Sequence, residues 1–375
     1  MKYFLIAGEA SGDLHGAHLI EALKQQDPHA EFVGLGGELM QGQGMRILQH
    51  YRTMAYMGFV AVVRHLPEVL RNIRNTKRAL AEEKPDVVIL IDYPSFNLRM
   101  ARFAKEQVGC RVCYYISPKL WAWKAYRIKY IRRYVDQMYT IFPFETDYYA
   151  QHHYKVHYVG NPTQETVDRY IKKTTDEASF RQEHGLDERP IIALLAGSRK
   201  QEIRACLPTM VRVAQKFPHH QAVIAGAPGV EMTLYKEVAS KVKVVSGCTY
   251  ELLRHAHTAV VNSGTATLET ALFDVPQVVV YHVAGGRMAY QLKEWFIHTK
   301  HVSLVNIIAG REVVKELIAH LFTEANLEKE LEQLLTEEGK RKAVRQGYAE
   351  VRLALGSESA SENAARDIVH SMQKN

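Results

Sequence analysis

The chain is poor in cysteine, with four among 375 residues at Cys110, Cys113, Cys206 and Cys248. That scarcity excludes a disulfide-built secreted scaffold and fits a reducing compartment. Cys110 and Cys113 have the spacing of a metal-binding pair, but no second pair follows. They read as buried strand cysteines. No apolar run reaches the roughly 18 residues of a membrane span. The amino terminus enters a strand pattern without the regions of a signal peptide. Also missing are G-x-G-x-x-G, GxxxxGK(S/T), HExxH and DxD. These absences argue against a dinucleotide dehydrogenase, a P-loop nucleotidase and an evident metal site. There is no low-complexity tract and no short-period repeat.

What is present is the composition of an ordinary soluble protein, 47% hydrophobic and 24% charged. At ~150 residues per domain, the length gives a prior of two or three domains. The formal charge of +7 is unevenly spread. Between Glu106 and Asp136 lie Arg111, Lys119, Lys124, Arg127, Lys129, Arg132 and Arg133 without an acid. From Arg64 to Arg78 only Glu68 opposes the basic residues. The apolar stretch Met54–Val63 precedes that run. It is too short to cross a bilayer but suits an interface, with a solvated amphipathic helix as the plainer reading.

Short apolar runs alternate with helical patterns in the first half, at Tyr3–Ala7, Phe32–Leu35, Val87–Ile91, Val112–Ile116, Met138–Ile141 and Val156–Val159. Strands separated by helices imply right-handed crossovers and a parallel sheet. A polar helical segment around Glu165–Glu183 reads as a connection. The scheme then repeats at Ile191–Ala196, Ala222–Ala225, Val242–Val245, Ala259–Val261 and Val278–Tyr281, and from about Arg311 the chain reads as mostly helical. Two α/β domains facing across a cleft are expected.

In doubly wound sheets, ligands bind beyond the carboxyl ends of the strands. Four polar clusters fall there: Glu9, Ser11, Gly12 and Asp13; Asp92 with Tyr93–Asn97; Gly197, Ser198 and Arg199 with Glu202; and Asn262 to Glu269. The last two suit a nucleoside diphosphate. Gly264 permits close approach, Ser263 and Thr265 supply hydroxyls, and the helix start favours phosphate charge. Arg199 offers a fixed fork of donors to the diphosphate. Glu269, one turn on, suits ribose hydroxyls. The acids of the first cluster would repel a pyrophosphate and are better matched to sugar hydroxyls.

These residues carry a resemblance. AGEASGD at the amino terminus, IDYPSFN at Ile91–Asn97, SPKLWAWK at Ser117–Lys124 and PFE at Pro143–Glu145 are similar to motifs of the lipid-A-disaccharide synthase family. So are AGSRKQEI at Ala196–Ile203, SGTATLE at Ser263–Glu269 and SLVNIIAGREVVKELI at Ser303–Ile318. The order holds through nearly the whole chain. AGSR stands where the family usually has LPGSR-like wording, and SLVN where SLPN is commoner.

The resemblance implies a GT-B glycosyltransferase of two Rossmann-like doubly wound domains. Residues 1–165 would form an acceptor and membrane-docking domain, and 166–356 a UDP-sugar-binding domain. A final helix at ~357–375 would pack back on the first. The implied reaction joins UDP-2,3-diacylglucosamine to 2,3-diacylglucosamine 1-phosphate with inversion, giving the β-1,6 disaccharide 1-phosphate and UDP. No cofactor and no metal are expected. Asp92 is the expected general base, with Glu9 and Asp13 as alternatives. Asn306 is carried over as a further UDP contact and Tyr281 as a uracil neighbour. Met57, Phe59, Trp121 and Trp123, beside Ser11 and Gly12, are assigned to the acceptor and membrane side. The expected location is the cytoplasmic face of a Gram-negative inner membrane, on anionic lipid, with a homodimer allowed. A UDP-sugar epimerase on the same fold is the competing enzyme class. A nucleic-acid binder built on Tyr114–Tyr134 has no RRM, KH or helix-turn-helix signature behind it, so no nucleic-acid partner is expected.

Overall fold

The run after Met1 forms β1 (Lys2–Ala7), whose residues Tyr3 to Ala7 are fully buried. Such a strand must be covered on both faces, which is the condition of a parallel sheet between helices. The computed structural model describes residues 1–54, 66–121, 125–173, 175–283 and 300–373, so Met57, Phe59 and Trp123 lie outside the described residues. The chain divides into two units, Met1–Pro162 with Ser357–Asn375, and Thr163–Gly356.

The first unit adds β2 (Glu31–Gly36), β3 (Arg46–His50), β4 (Val87–Ile91), β5 (Arg111–Tyr115), β6 (Gln137–Thr140) and β7 (His157–Tyr158). All pair in parallel in the order β3-β2-β1-β4-β5-β6-β7. The order reverses between β1 and β4, which is where this architecture opens a crevice. Phe4, Ile6, Val88, Leu90, Val112 and Met138 build the core beneath it.

The helix Ala360–Gln373 belongs to this unit and packs on the helix Ala10–Gln26. Its buried face is mostly small, with Ala360, Ser361, Ala364 and Ala365 beside Ile368 and Val369. Tyr139 donates to Asp367 at 3.0 Å, and Asn363 donates to the Val159 carbonyl at 3.2 Å.

The second unit contains β8 (Ile191–Leu195), β9 (Gln221–Gly226), β10 (Lys243–Ser246), β11 (Ala256–Asn262), β12 (Gln277–Tyr281) and β13 (Lys315–Ile318). They pair in parallel in the order β10-β9-β8-β11-β12-β13. Here the reversal lies between β8 and β11.

Two edge strands were not expected from the sequence. β3, Arg-Ile-Leu-Gln-His, is nowhere fully buried. β13, Lys-Glu-Leu-Ile, lies in the stretch read as helical. Both are short and carry polar residues, so neither gives the continuous apolar run of a central strand. Among the described residues, no helix is long and apolar enough to cross a membrane.

Candidate active site

Ala7 pairs with Ile91 at the carboxyl ends of β1 and β4, so Gly8 and Asp92 leave the sheet as neighbours. Gly8 has to be small, because a Cβ there would sit 2.4 Å from Cδ1 of the Tyr93 ring. Asp92 and Tyr93 both have left-handed backbone, with φ of 44° and 47°. That conformation costs about 1–2 kcal/mol per residue, and aspartate tolerates it better than tyrosine.

Buried hydrogen bonds hold the turn. The Asp92 N–H donates to the Tyr115 carbonyl at 3.1 Å. The Asp92 carbonyl accepts from the Tyr114 hydroxyl at 2.6 Å and from the Asn97 amide at 2.7 Å. The same amide reaches Ile91 O at 3.1 Å and Ile6 O at 3.4 Å, tying β1 to β4. Strain maintained by its surroundings is typical of functional positions.

The Asp92 carboxyl is partly buried, and that burial pushes its pKa above the ordinary aspartate value. The Lys119 ammonium and the Tyr93 N–H act in the opposite direction. Glu9 stands at the start of the helix Ala10–Gln26 without capping it, and its charge reaches the Tyr93 phenol. Ser11 is exposed and Gly12 is buried.

Asp13 has a different job from the one expected. It is 2% exposed, and its carboxylate accepts from the N–H groups of Gly37, Leu39 and Met40 at 2.7, 3.1 and 3.1 Å. Committed to the start of the helix Glu38–Gly42, it anchors the end of β2 rather than awaiting a proton.

Sequence reading gave no role to Glu145, yet it organises the other side of this unit. It is fully buried at the start of the helix Pro143–Gln151. Its carboxylate accepts from Ser117 Oγ at 2.7 Å, Trp121 Nε1 at 3.1 Å, and the Ile141 and Phe142 N–H groups at 3.0 Å each. Burial still raises its pKa against those four donors. Trp121 therefore turns its polar edge inward, with its ring set edge-on to Phe144 at 5.0 Å. The structure makes it a pin between two motifs instead of a free interfacial anchor.

In the second unit, Val261 pairs with Leu195, so Ala196 and Asn262 leave β8 and β11 side by side. Gly197 has φ +103°, and a Cβ there would lie 2.5 Å from Glu202 Oε2 and 2.8 Å from Asn262 Nδ2. Asn262, 3% exposed, accepts from Cys206 Sγ at 3.5 Å. Burial pushes that thiol up to about 11. Arg199 is exposed at the start of the helix Lys200–Ala214, 3.3 Å from Glu202 Oε1, and Ser198 beside it is exposed.

Across the crevice, Gly264 and Thr265 are exposed at the start of the helix Thr265–Leu272, which no side chain caps among the described residues. A Cβ on Gly264 would meet nothing within 4 Å among the described residues, so their packing does not require this glycine. Ser263 Oγ donates to Val302 O at 3.0 Å, and Thr267 Oγ1 donates to Gly264 O at 2.8 Å. Glu269 lies one turn along, its pKa raised by burial and opposed by a hydrogen bond from Tyr250. Tyr281 ends β12, partly exposed.

Asn306 does not reach this surface. It is fully buried, donates to Val314 O and Glu316 Oε1 at 2.9 Å each, and accepts from the Val313 and Val314 N–H groups at 2.8 and 3.0 Å. Glu316, unremarked in the sequence, also accepts from Ser303 N at 2.8 Å and Ser303 Oγ at 2.7 Å. Together they fold the segment that buttresses Ser263 and Thr267, whose Oγ1 accepts from Leu304 N at 3.3 Å.

Two Rossmann-like units, each with its polar loops at the reversal of strand order, define an α/β protein of the GT-B class. A family model described as lipid-A-disaccharide synthetase matches residues 3–369. The lipid-A-disaccharide synthase of Acidobacterium capsulatum is 39% identical, over 96% of this chain and 92% of that protein. That of Myxococcus xanthus is 37% identical, over 98% and 97%. The chain belongs to the lipid-A-disaccharide synthase family, and it is a glycosyltransferase of lipid A biosynthesis acting on precursor sugars.

Among solved structures, the S. aureus MnaA–UDP co-structure is similar with a TM-score of 0.71 at 12% identity, covering 99% of this chain and 97% of that one. UDP-GlcNAc 2-epimerase from Neisseria meningitidis bound to UDP-GlcNAc gives 0.65 at 15% identity, covering 100% of each. At such identities the likeness shows the fold alone, so the epimerase alternative has no further support.

Proposed function

We propose that the enzyme transfers a 2,3-diacylglucosaminyl unit from its UDP carrier to the 6-hydroxyl of 2,3-diacylglucosamine 1-phosphate. The transfer is a single in-line displacement with inversion at the anomeric carbon. The carrying observation is Asp92, a partly buried carboxylate with a raised pKa in a strained turn at the reversal of the first sheet. A desolvated carboxylate is a stronger base, as proton removal from a sugar hydroxyl requires. Glu9, at the same strand ends, is the alternative base. Asp13 is left to positioning, its oxygens occupied by three N–H groups.

In this reading the uridine diphosphate is held by the second unit. The uncapped helix start at Gly264–Thr265 and the exposed Arg199 meet the diphosphate charge, while Glu269 takes the ribose hydroxyls. No metal is assigned a step, and activity should survive EDTA. The two units divide acceptor from donor, as do residues 1–165 and 166–356.

The acyl substrates require a lipid surface. The helix Leu66–Glu83 supports docking there, with Leu66 and Leu70 nearly half exposed beside Arg71, Arg74, Lys77 and Arg78. Basic residues near an anionic bilayer contribute ~1 kcal/mol each. We place the enzyme on the cytoplasmic face of the inner membrane, without a nucleic-acid partner. The test is incubation with both lipid substrates in detergent and mass analysis of the product. A new tetraacyl disaccharide 1-phosphate with release of UDP is expected, and an isomerised sugar nucleotide without disaccharide would overturn the reading.

A further inference from the structure

We infer that Tyr250 is a positioning residue whose hydroxyl aims the Glu269 carboxylate at the ribose, and so sets how strictly the enzyme demands a ribonucleotide. The inference rests on the proposed reading that Glu269 faces the ribose hydroxyls. The Tyr250 hydroxyl donates to Glu269 Oε1 at 2.7 Å. Among the described residues this is the one donor the carboxylate has, which leaves Oε2 open.

The phenol is itself held in place. Tyr170 meets the Tyr250 ring edge-on at 5.4 Å, and Phe273 packs against it at 5.2 Å. Tyr170 and Phe273 also touch, closing a three-ring cluster. One turn beyond Tyr250, Arg254 donates to Ile171 O and Lys173 O at 3.0 Å each. That clamp fixes the helix Thr249–His255 to the end of the helix Pro162–Ile171, which carries Tyr170.

A glutamate pinned at one oxygen loses the freedom to swing and keeps its second oxygen for a ligand. Groups held this way bind without a further ordering cost. A tyrosine needed only to fill space could be replaced by phenylalanine, because all three ring contacts would persist. The hydroxyl is the part that carries the inference.

The full-length enzyme is titrated by calorimetry with UDP and with 2′,3′-dideoxy-UDP, as wild type, Tyr250→Phe and Glu269→Gln. In Tyr250→Phe, UDP affinity should fall about tenfold and affinity for the dideoxy analogue should barely change. The donor KM should rise with kcat at saturation retained. Its low-pH limb should move to higher pH, because the donor that favours the carboxylate form is gone. Equal loss for both nucleotides marks a packing role and overturns the inference. Wild-type discrimination in Tyr250→Phe, with discrimination lost in Glu269→Gln, overturns the inference alone. Wild-type discrimination in Glu269→Gln overturns the ribose reading and the inference with it.

Discussion

The Asn97 side-chain amide donates to the main-chain oxygen of Asp92 at 2.7 Å, and it does so from a fully buried position. One amide thereby fixes the backbone of the residue proposed as the base through its main-chain oxygen, without using its carboxylate. Replacing Asp92 by Asn keeps the shape and removes the proton acceptor. Turnover should fall by ~10² to 10⁴, the usual worth of a general base. Calorimetric affinity for UDP should be nearly unchanged. Normal turnover in Asp92→Asn would pass the role to Glu9.

The same carboxyl sets a pH dependence whose sign can be worked out. Burial raises the pKa of Asp92 in the folded state, so between its ordinary and raised values the native protein holds the proton more tightly than the unfolded chain. Its stabilising contribution is present below the ordinary value and is lost as pH rises through the raised one. Activity runs the other way, because the base must be ionised, and kcat should decline as pH falls through the raised value. Asp92→Asn should therefore melt no lower than wild type at neutral pH, and a few degrees higher is expected. A clear drop in melting temperature would mean that the charged form is stabilised after all.

Tyr114→Phe removes one of the two donors to the Asp92 carbonyl without changing ring packing. The expected cost is ~1 kcal/mol of stability, the net worth of an ordinary hydrogen bond. If the strained turn matters for catalysis, kcat should also fall severalfold with the donor KM kept. Unchanged kcat alongside a lower melting temperature would make the bond purely structural.

The sequence made the strand-and-turn scheme readable because central parallel strands are buried on both faces and spell continuous apolar runs, as at Ile191–Leu195. The edges β3 and β13 escaped because a half-covered edge has no such run. In the candidate site, strand-end position and residue chemistry single out Asp92, Gly197 and Glu269 as candidates. The same signals pick Asp13 and Asn306, which the structure ties into internal hydrogen bonds. Type and motif say that a polar residue matters, but only three-dimensional partners tell a buried tie from a ligand contact. Asn97, Glu145 and Glu316 sit inside motifs quoted from the sequence, yet nothing local distinguishes an acid that accepts four protein hydrogen bonds from one that faces a substrate.

Glu145→Ala would leave Ser117, Trp121 and two backbone N–H groups without their acceptor in a buried site. Each orphaned group costs ~1–3 kcal/mol, and some will find water, so a loss of roughly 3 kcal/mol or more is expected. Denaturant melts should record it. Trp121 fluorescence should shift as its N–H loses the carboxylate. An unshifted emission spectrum would mean that Trp121 is held by its ring contacts with Phe144 alone.

Asn306→Ala separates a structural tie from a ligand contact. Among the described residues its side chain makes only internal hydrogen bonds, two donated and two accepted. The variant strands the Val313 and Val314 N–H groups and removes a donor from Glu316, so stability should fall by ~2–4 kcal/mol. For the fraction that remains folded, UDP affinity should change by less than about threefold, since Thr267 still receives the Leu304 N–H and the loop before it is held from other directions. Calorimetry at a temperature well below the variant's melting point makes the comparison. A tenfold loss of UDP affinity in a fully folded Asn306→Ala would restore the direct contact that family resemblance first implied. It would require the segment Ser303–Asn306 to turn its amide outward on binding.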